Sequence, residues 1–78
     1  MTNQDEIQFL SKILFDKYGA LALTTEQTAK ATNQSIQQLK LDRMHSTGLP
    51  YVKAVRHVKY AVTDIAKWIL DNRKVVGA

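Results

Sequence analysis

Four side chains suited to holding an anion fall within seven residues: Lys53, Arg56, His57 and Lys59. They lie in STGLPYVKAVRHVKY, Ser46 to Tyr60, which also holds the only proline and one of three glycines. No acid occurs between Asp42 and Asp64. Cations at this density neutralise a polyanion, and arginine and lysine are the usual partners of phosphate. A merely solvated basic face has the same composition, so charge alone leaves both readings open. Other chemistries find little support. Two histidines without a cysteine do not make a zinc site. Asp64 and Asp71 share a helix face but read as a cap and a solvated residue. There is no glycine-rich phosphate loop and no nucleophile constellation. The chain therefore reads as a binding protein with no catalytic residues, no metal and no cofactor.

The charge is unevenly placed. Residues 1–39 hold three bases and four acids, a net −1, whereas residues 40–78 hold eight bases and three acids, a net +5. With 78 residues the chain is expected to form one domain with a thin core, since a domain this small buries only about 60% of the surface its unfolded chain exposes. Its 45% hydrophobic share is globular. The start MTNQDEIQFLSK has no apolar run behind basic residues and is not read as a signal peptide. No stretch approaches the roughly 18 apolar residues of a membrane span. The absence of cysteine agrees with a reducing cytoplasm.

The positioning elements are mostly helical. Ile7, Leu10, Leu14 and Tyr18 recur at helical spacing, widened by Phe9 and Ile13, and predict a helix over 5–18. Asn3 with Glu6 forms a capping box, and Gly19 is the stop. Thr24 with Gln27 is a second capping box, opening a short helix over 25–31. Asn33 suits a tight left-handed turn, and Ser35 caps a third helix over 36–45. Two short helices joined this way make a helix-turn-helix pattern over 25–45. Thr63 is read as the cap of a last helix over 64–72, with Ile65, Trp68, Ile69 and Asn72 on one face and Trp68 as core anchor.

Between these helices, residues 51–61 alternate as a half-buried β-hairpin. Val52 and Ala54 face one way, Tyr51 and Lys53 the other. A two-residue loop at Val55-Arg56 would set Val52 opposite Lys59 and place a charge on the core face. A three-residue loop, Val55-Arg56-His57, pairs Ala54 with Val58, Val52 with Tyr60 and Lys53 with Lys59. The longer loop is the expectation, with Arg56 and His57 at the tip.

The order helix, helix-turn-helix, basic hairpin, helix carries a resemblance. Gly48, Pro50, Tyr51-Val52-Lys53, Arg56-His57-Val58-Lys59-Tyr60, Thr63-Asp64 and Trp68 resemble the pattern of small winged helix-turn-helix proteins of the excisionase and AlpA-like group. These are carried by prophages and integrating elements and are related to the DNA-binding half of MerR regulators. The resemblance spans about residues 23–70, with LTTEQTAKATNQS matching the opening helix and turn more loosely. Thr28, Thr32, Gln34 and Asp42 stand where apolar residues are usual, and Val55 where the group has glycine. The N-terminal helix lies outside the resemblance.

The resemblance implies a mainly α fold with a small β-hairpin, a MerR/excisionase-like winged helix-turn-helix preceded by an extra helix. It implies double-stranded DNA as partner, read in the major groove by the third helix and in the minor groove by the wing. Gln37 and Gln38 are candidates for base edges, although glutamine also simply favours helix. Lys40, Arg43 and His45 would neutralise phosphates or read guanine, and the Ser35 cap would offer its N–H to a phosphate. At the wing, Arg56 would enter the minor groove, flanked by Lys53 and Lys59, with His57 adding charge when protonated. Tyr51 would stack or bond to the backbone, and Tyr60 belongs to the core. An integrase and further copies of the chain along DNA are implied partners. The implied setting is the bacterial cytoplasm, at the nucleoid. The roles left open are excisionase and transcription regulator. A reading of another class is a protein-interaction adaptor docking through its N-terminal helix.

Overall fold

The first three helices end where a local hydrogen bond or a left-handed residue ends them. The computed structural model describes residues 4–72, in the order α1 (Gln4–Tyr18), β1 (Ala22–Thr24), α2 (Thr25–Thr32), α3 (Ile36–Met44), β2 (Val52–Ala54), β3 (His57–Ala61) and α4 (Val62–Asn72). It is mainly helical, with a three-stranded antiparallel sheet in the order β1-β3-β2. The expected cap at Asn3 and the tail after Asn72 lie outside the described residues. Gly19, at φ 70°, closes α1 by donating to the Phe15 carbonyl at 2.7 Å. The Thr24–Gln27 capping box forms in both directions, each bond 3.1 Å. Asn33 is left-handed, and the Gln34 N–H reaches the Ala29 carbonyl at 2.9 Å, a Schellman closure. The end of α3 repeats it. Ser46 takes φ 56°, with Ser46 N–H on the Arg43 carbonyl and Thr47 N–H on that of Asp42.

The core draws on almost every element. Leu14, Leu23, Ala29, Leu39, Leu49, Tyr60, Val62, Ile65 and Ala66 are buried, and Ile7, Leu10, Tyr18, Val58, Trp68 and Ile69 pack against them. Trp68 is thus a partly buried flank rather than the centre. The anticipated α1 stripe is narrower than its apolar residues, because Phe9 and Ile13 remain 70% and 45% exposed. Asn72, placed on the α4 core face by spacing, is exposed and donates to the Trp68 carbonyl at 2.9 Å.

Thr28 and Thr32 show how polar residues occupy apolar positions. Both are buried, and each hydroxyl donates to the carbonyl four residues earlier at 2.8 Å. The oxygen is thereby satisfied inside the helix, and the methyl is left to pack.

Three expectations are corrected. First, β1 was not anticipated. It pairs Ala22 with Ala61, Leu23 with Tyr60 and Thr24 with Lys59, and three residues are too short for an alternation to register. Second, α4 begins at Val62, so Thr63 is not its cap. Strand β3 runs straight into the helix, and the Val62 N–H donates to the Leu21 carbonyl at 2.9 Å. Third, the hairpin has the two-residue loop. Val52 pairs with Lys59, Lys53 with Val58 and Ala54 with His57. A charge opposite Val52 is tolerated because Val52 is not a core residue: it is 61% exposed. Burial of Tyr60 opposite Leu23 fixes which face of β3 is inward, and Lys59 then faces away from the core with Val52.

The short loop sets Val55 at φ 56°, the positive first position of a two-residue hairpin turn, while Arg56 stays at negative φ. A β-branched residue is strained there, by about 1–2 kcal/mol. Val55 is 90% exposed, so its side chain contributes little burial in return. Val55→Gly is expected to raise stability by about 0.5–1 kcal/mol after the added flexibility of the unfolded chain is deducted. A urea midpoint unchanged or lowered would contradict the strain. Gly48 is the opposite case. At φ 74°, an added Cβ would lie 2.7 Å from Asp42 Oδ2. Gly48→Ala is expected to cost more than about 1 kcal/mol in the same titration.

Candidate functional site

Helix α3 presents two unlike faces. Leu39 is its one buried residue, and Asp42 and Arg43 lie half-buried beside it. The outer face carries Ile36, Gln37, Lys40, Leu41 and Met44, which line a groove of about 410 Å³. This face is more apolar than the polar residue types of the helix suggest: Met44 is 75% exposed. Ser35 caps the helix, its Oγ accepting from the Gln38 N–H at 3.0 Å. His45 stands at the other end, exposed, its own N–H donating to the Leu41 carbonyl at 3.0 Å. The nine residues of α3 separate the two caps by ten positions, roughly 15 Å along the axis. Gln38 is exposed, but its Nε2 donates to Asp42 Oδ1 at 2.9 Å, so one hydrogen-bonding arm is engaged within the helix.

The hairpin and the start of α2 form a second concavity. Arg43, Arg56, His57 and Lys59 line a cleft of about 450 Å³ together with Thr24, Thr25, Glu26 and Val58. Four of the ten candidate residues therefore converge here, and Gln37 and Lys40 meet in the α3 groove. Ser35, Gln38, His45 and Lys53 line neither. Glu26 is the single acid of the cleft. Arg56 and His57 are exposed, and Lys59 is half-buried. The two-residue loop separates Lys53 from Lys59: they stand on opposite faces, so the expected pairing of two like charges, which would repel, does not arise.

Arg43 differs from the other cations. Its Nη1 donates to the Tyr60 hydroxyl at 2.8 Å and to Thr25 Oγ1 at 3.3 Å. Its guanidinium carbon lies 5.9 Å from the centre of the Tyr51 ring, and the Tyr51 and Tyr60 rings are 6.4 Å apart. Thr25 and Tyr60 had no part in the sequence-based site. A signal was present, because Leu39 and Arg43 are four residues apart and share a helix face. If Leu39 faces the core, Arg43 faces it one turn later.

Among the described residues no cluster of His, Cys, Asp or Glu is arranged to hold a metal, and no helix is long and apolar enough to cross a membrane. No family model, curated protein or solved structure matches the chain.

The Ser35 cap is what starts α3 immediately after the tight turn. Ser35→Ala is expected to destabilise the protein by about 1 kcal/mol, and Ser35→Asp to restore most of the loss. Equal midpoints for the alanine variant and the parent protein would show that the cap contributes nothing.

Proposed function

We propose that the chain binds double-stranded DNA as a winged helix-turn-helix module. In this reading α2 and α3 are the helix-turn-helix, and the β2–β3 hairpin is the wing. The observation that carries it is the cationic cleft. Arg56, His57 and Lys59 stand together where the hairpin meets the start of α2, in a stretch with no acid from residue 43 to 63. Backbone phosphates are the matching charge, and Arg56 on an exposed tip suits insertion into a narrow minor groove. Gln37 and Lys40 are the polar residues of the exposed α3 face. Ile36, Leu41 and Met44 beside them offer apolar contact of the kind a thymine methyl accepts.

The finer reading is an accessory role in a prophage or integrating element, within the bacterial cytoplasm. As an excisionase the protein would bind near an attachment site and help an integrase assemble in the excision direction, with several copies along the DNA. As an AlpA-like regulator it would use the same surface at a promoter. Neither role requires catalysis by this chain.

A second reading has its own observation. Phe9, Leu10, Ile13 and Leu70 line an apolar groove of about 380 Å³ beside Asp5 and Glu6, on the α1 side of the molecule. Exposed apolar surface of this kind also serves a protein adaptor.

Salt dependence tests the DNA reading. Each phosphate contact on duplex DNA contributes about −0.9 to the slope of log K against log salt, so Arg56→Ala with Lys59→Ala should flatten it by about 1.8. A flat slope in the parent protein, or an unchanged slope in the double variant, would favour the adaptor. Footprints on attachment and promoter DNA then separate excisionase from regulator.

A further inference from the structure

Arg43 was expected to touch DNA, yet its guanidinium is already engaged. It is half-buried, donates to the Tyr60 and Thr25 hydroxyls at 2.8 and 3.3 Å, and lies over the Tyr51 ring. These partners come from three different places. Tyr60 is the one buried residue of β3, Thr25 is the first residue of α2, and Tyr51 leads into β2. Arg43 itself is on α3. One planar group therefore joins the third helix to the second helix and to the sheet.

The bridge matters because α3 has few other anchors. Leu39 is its one buried residue. A nine-residue helix resting on one leucine and two end caps is free to roll about that contact. The Arg43 guanidinium, one turn beyond Leu39 on the same face, removes the roll. On the hairpin side, Val52 and Lys53 of β2 are exposed, so Tyr51 is the ring through which the outer strand meets the guanidinium.

We propose that Arg43 is a positioning residue that locks the angle between α3 and the β2–β3 hairpin, and that it is not a phosphate contact. The proposal rests on the DNA-binding reading for its functional consequence, since helix and hairpin must reach one duplex together. The lock itself is a property of the free protein. Both hydrogen bonds come from Nη1, and what lysine lacks is the planar guanidinium that lies over the Tyr51 ring while that nitrogen meets the two hydroxyls.

Three variants test it. Tyr60→Phe removes one oxygen and leaves the ring and every charge in place. Arg43→Lys keeps the charge, and Arg43→Met keeps the length without it. Residual dipolar couplings on the free protein report the angle of α3 to the sheet, and duplex titrations over a range of salt report affinity and slope. A lock predicts that all three variants reorient α3 and weaken DNA binding by about five- to tenfold, with the salt slope of the parent protein retained. Combining Tyr60→Phe with Arg43→Met should add nothing to Arg43→Met, because both remove the same interaction. The lock is overturned if Arg43→Met flattens the slope by about 0.9 while Tyr60→Phe binds like the parent. If the parent shows no salt-dependent DNA binding, the DNA reading fails, and the couplings alone decide: a reoriented α3 in Tyr60→Phe sustains the lock, and an unchanged angle rejects it. Should Arg43→Met not fold, Tyr60→Phe carries the same comparison without altering charge.

Discussion

A tyrosine at the centre of a core must find a partner for its hydroxyl, and this requirement organises the fold around Tyr60. The ring is 1% exposed and stands opposite Leu23 across the sheet. An unpaired phenol at that depth would cost on the order of 1–3 kcal/mol. The partner is Arg43, reached from α3 at 2.8 Å. Because the phenol is fixed by β1 on one side, the arginine is fixed too, and with it the face that α3 turns outward. The hairpin register follows from the same residue. With Tyr60 inward, Lys59 must face away from the core, and only the two-residue loop then pairs it with exposed Val52.

The rest of the molecule shows how a thin core is made sufficient. It takes one buried apolar residue from each of α1, β1, α2, α3 and β3, a further one from Leu49 in the connection before β2, and three from α4. No single contact dominates, so stability depends on each element holding its place. Polar groups are settled locally. Thr28, Thr32 and Ser11 each return a hydroxyl proton to the carbonyl four residues back. Among the described residues no buried side-chain nitrogen or oxygen lacks a partner. The helix ends are equally self-contained, which lets helices of eight and nine residues persist beside one another.

Most of this architecture was legible, for a reason that also explains what was not. Caps and turns are encoded within four or five residues, and the Thr24 box, the Asn33 turn, the Ser35 cap and the Gly19 stop all stand where their residue types place them. Strand β1 was missed because its partner lies nearly forty residues away and three residues carry no period. The hairpin register was misjudged for a related reason. The two hairpin strands alone do not fix it, because the third strand decides which face is inward. Val55 at positive φ and Ser46 at the end of α3 break residue preference, Val55 because the strand pairing closes on a two-residue turn and Ser46 because the helix-end hydrogen bonds to the Arg43 and Asp42 carbonyls require it. In the candidate site, residue types marked the basic ribbon but not its sharing of a cleft with α2. Nor did they reveal that Arg43 faces inward.

The corrected register also changes what the ribbon suits. With Lys53 opposite Lys59, both lysines would stand on one face, and the hairpin would resemble a cationic plate fit to lie across a flat anionic surface. With Lys53 paired to Val58 and Lys59 to Val52, the charge is divided between the two faces, and Arg56 extends beyond them at the turn. A ribbon charged on both sides and at its tip is matched by an anion that surrounds it. On the proposed reading that anion is a DNA groove with its two phosphate-lined walls. Stiffness then becomes a requirement, because a ribbon seated between two walls transmits its angle to whatever is joined to it. In this chain the third helix is joined to the hairpin through Arg43, Tyr51 and Tyr60, so one cluster of side chains connects the two elements that the proposed reading brings to one duplex.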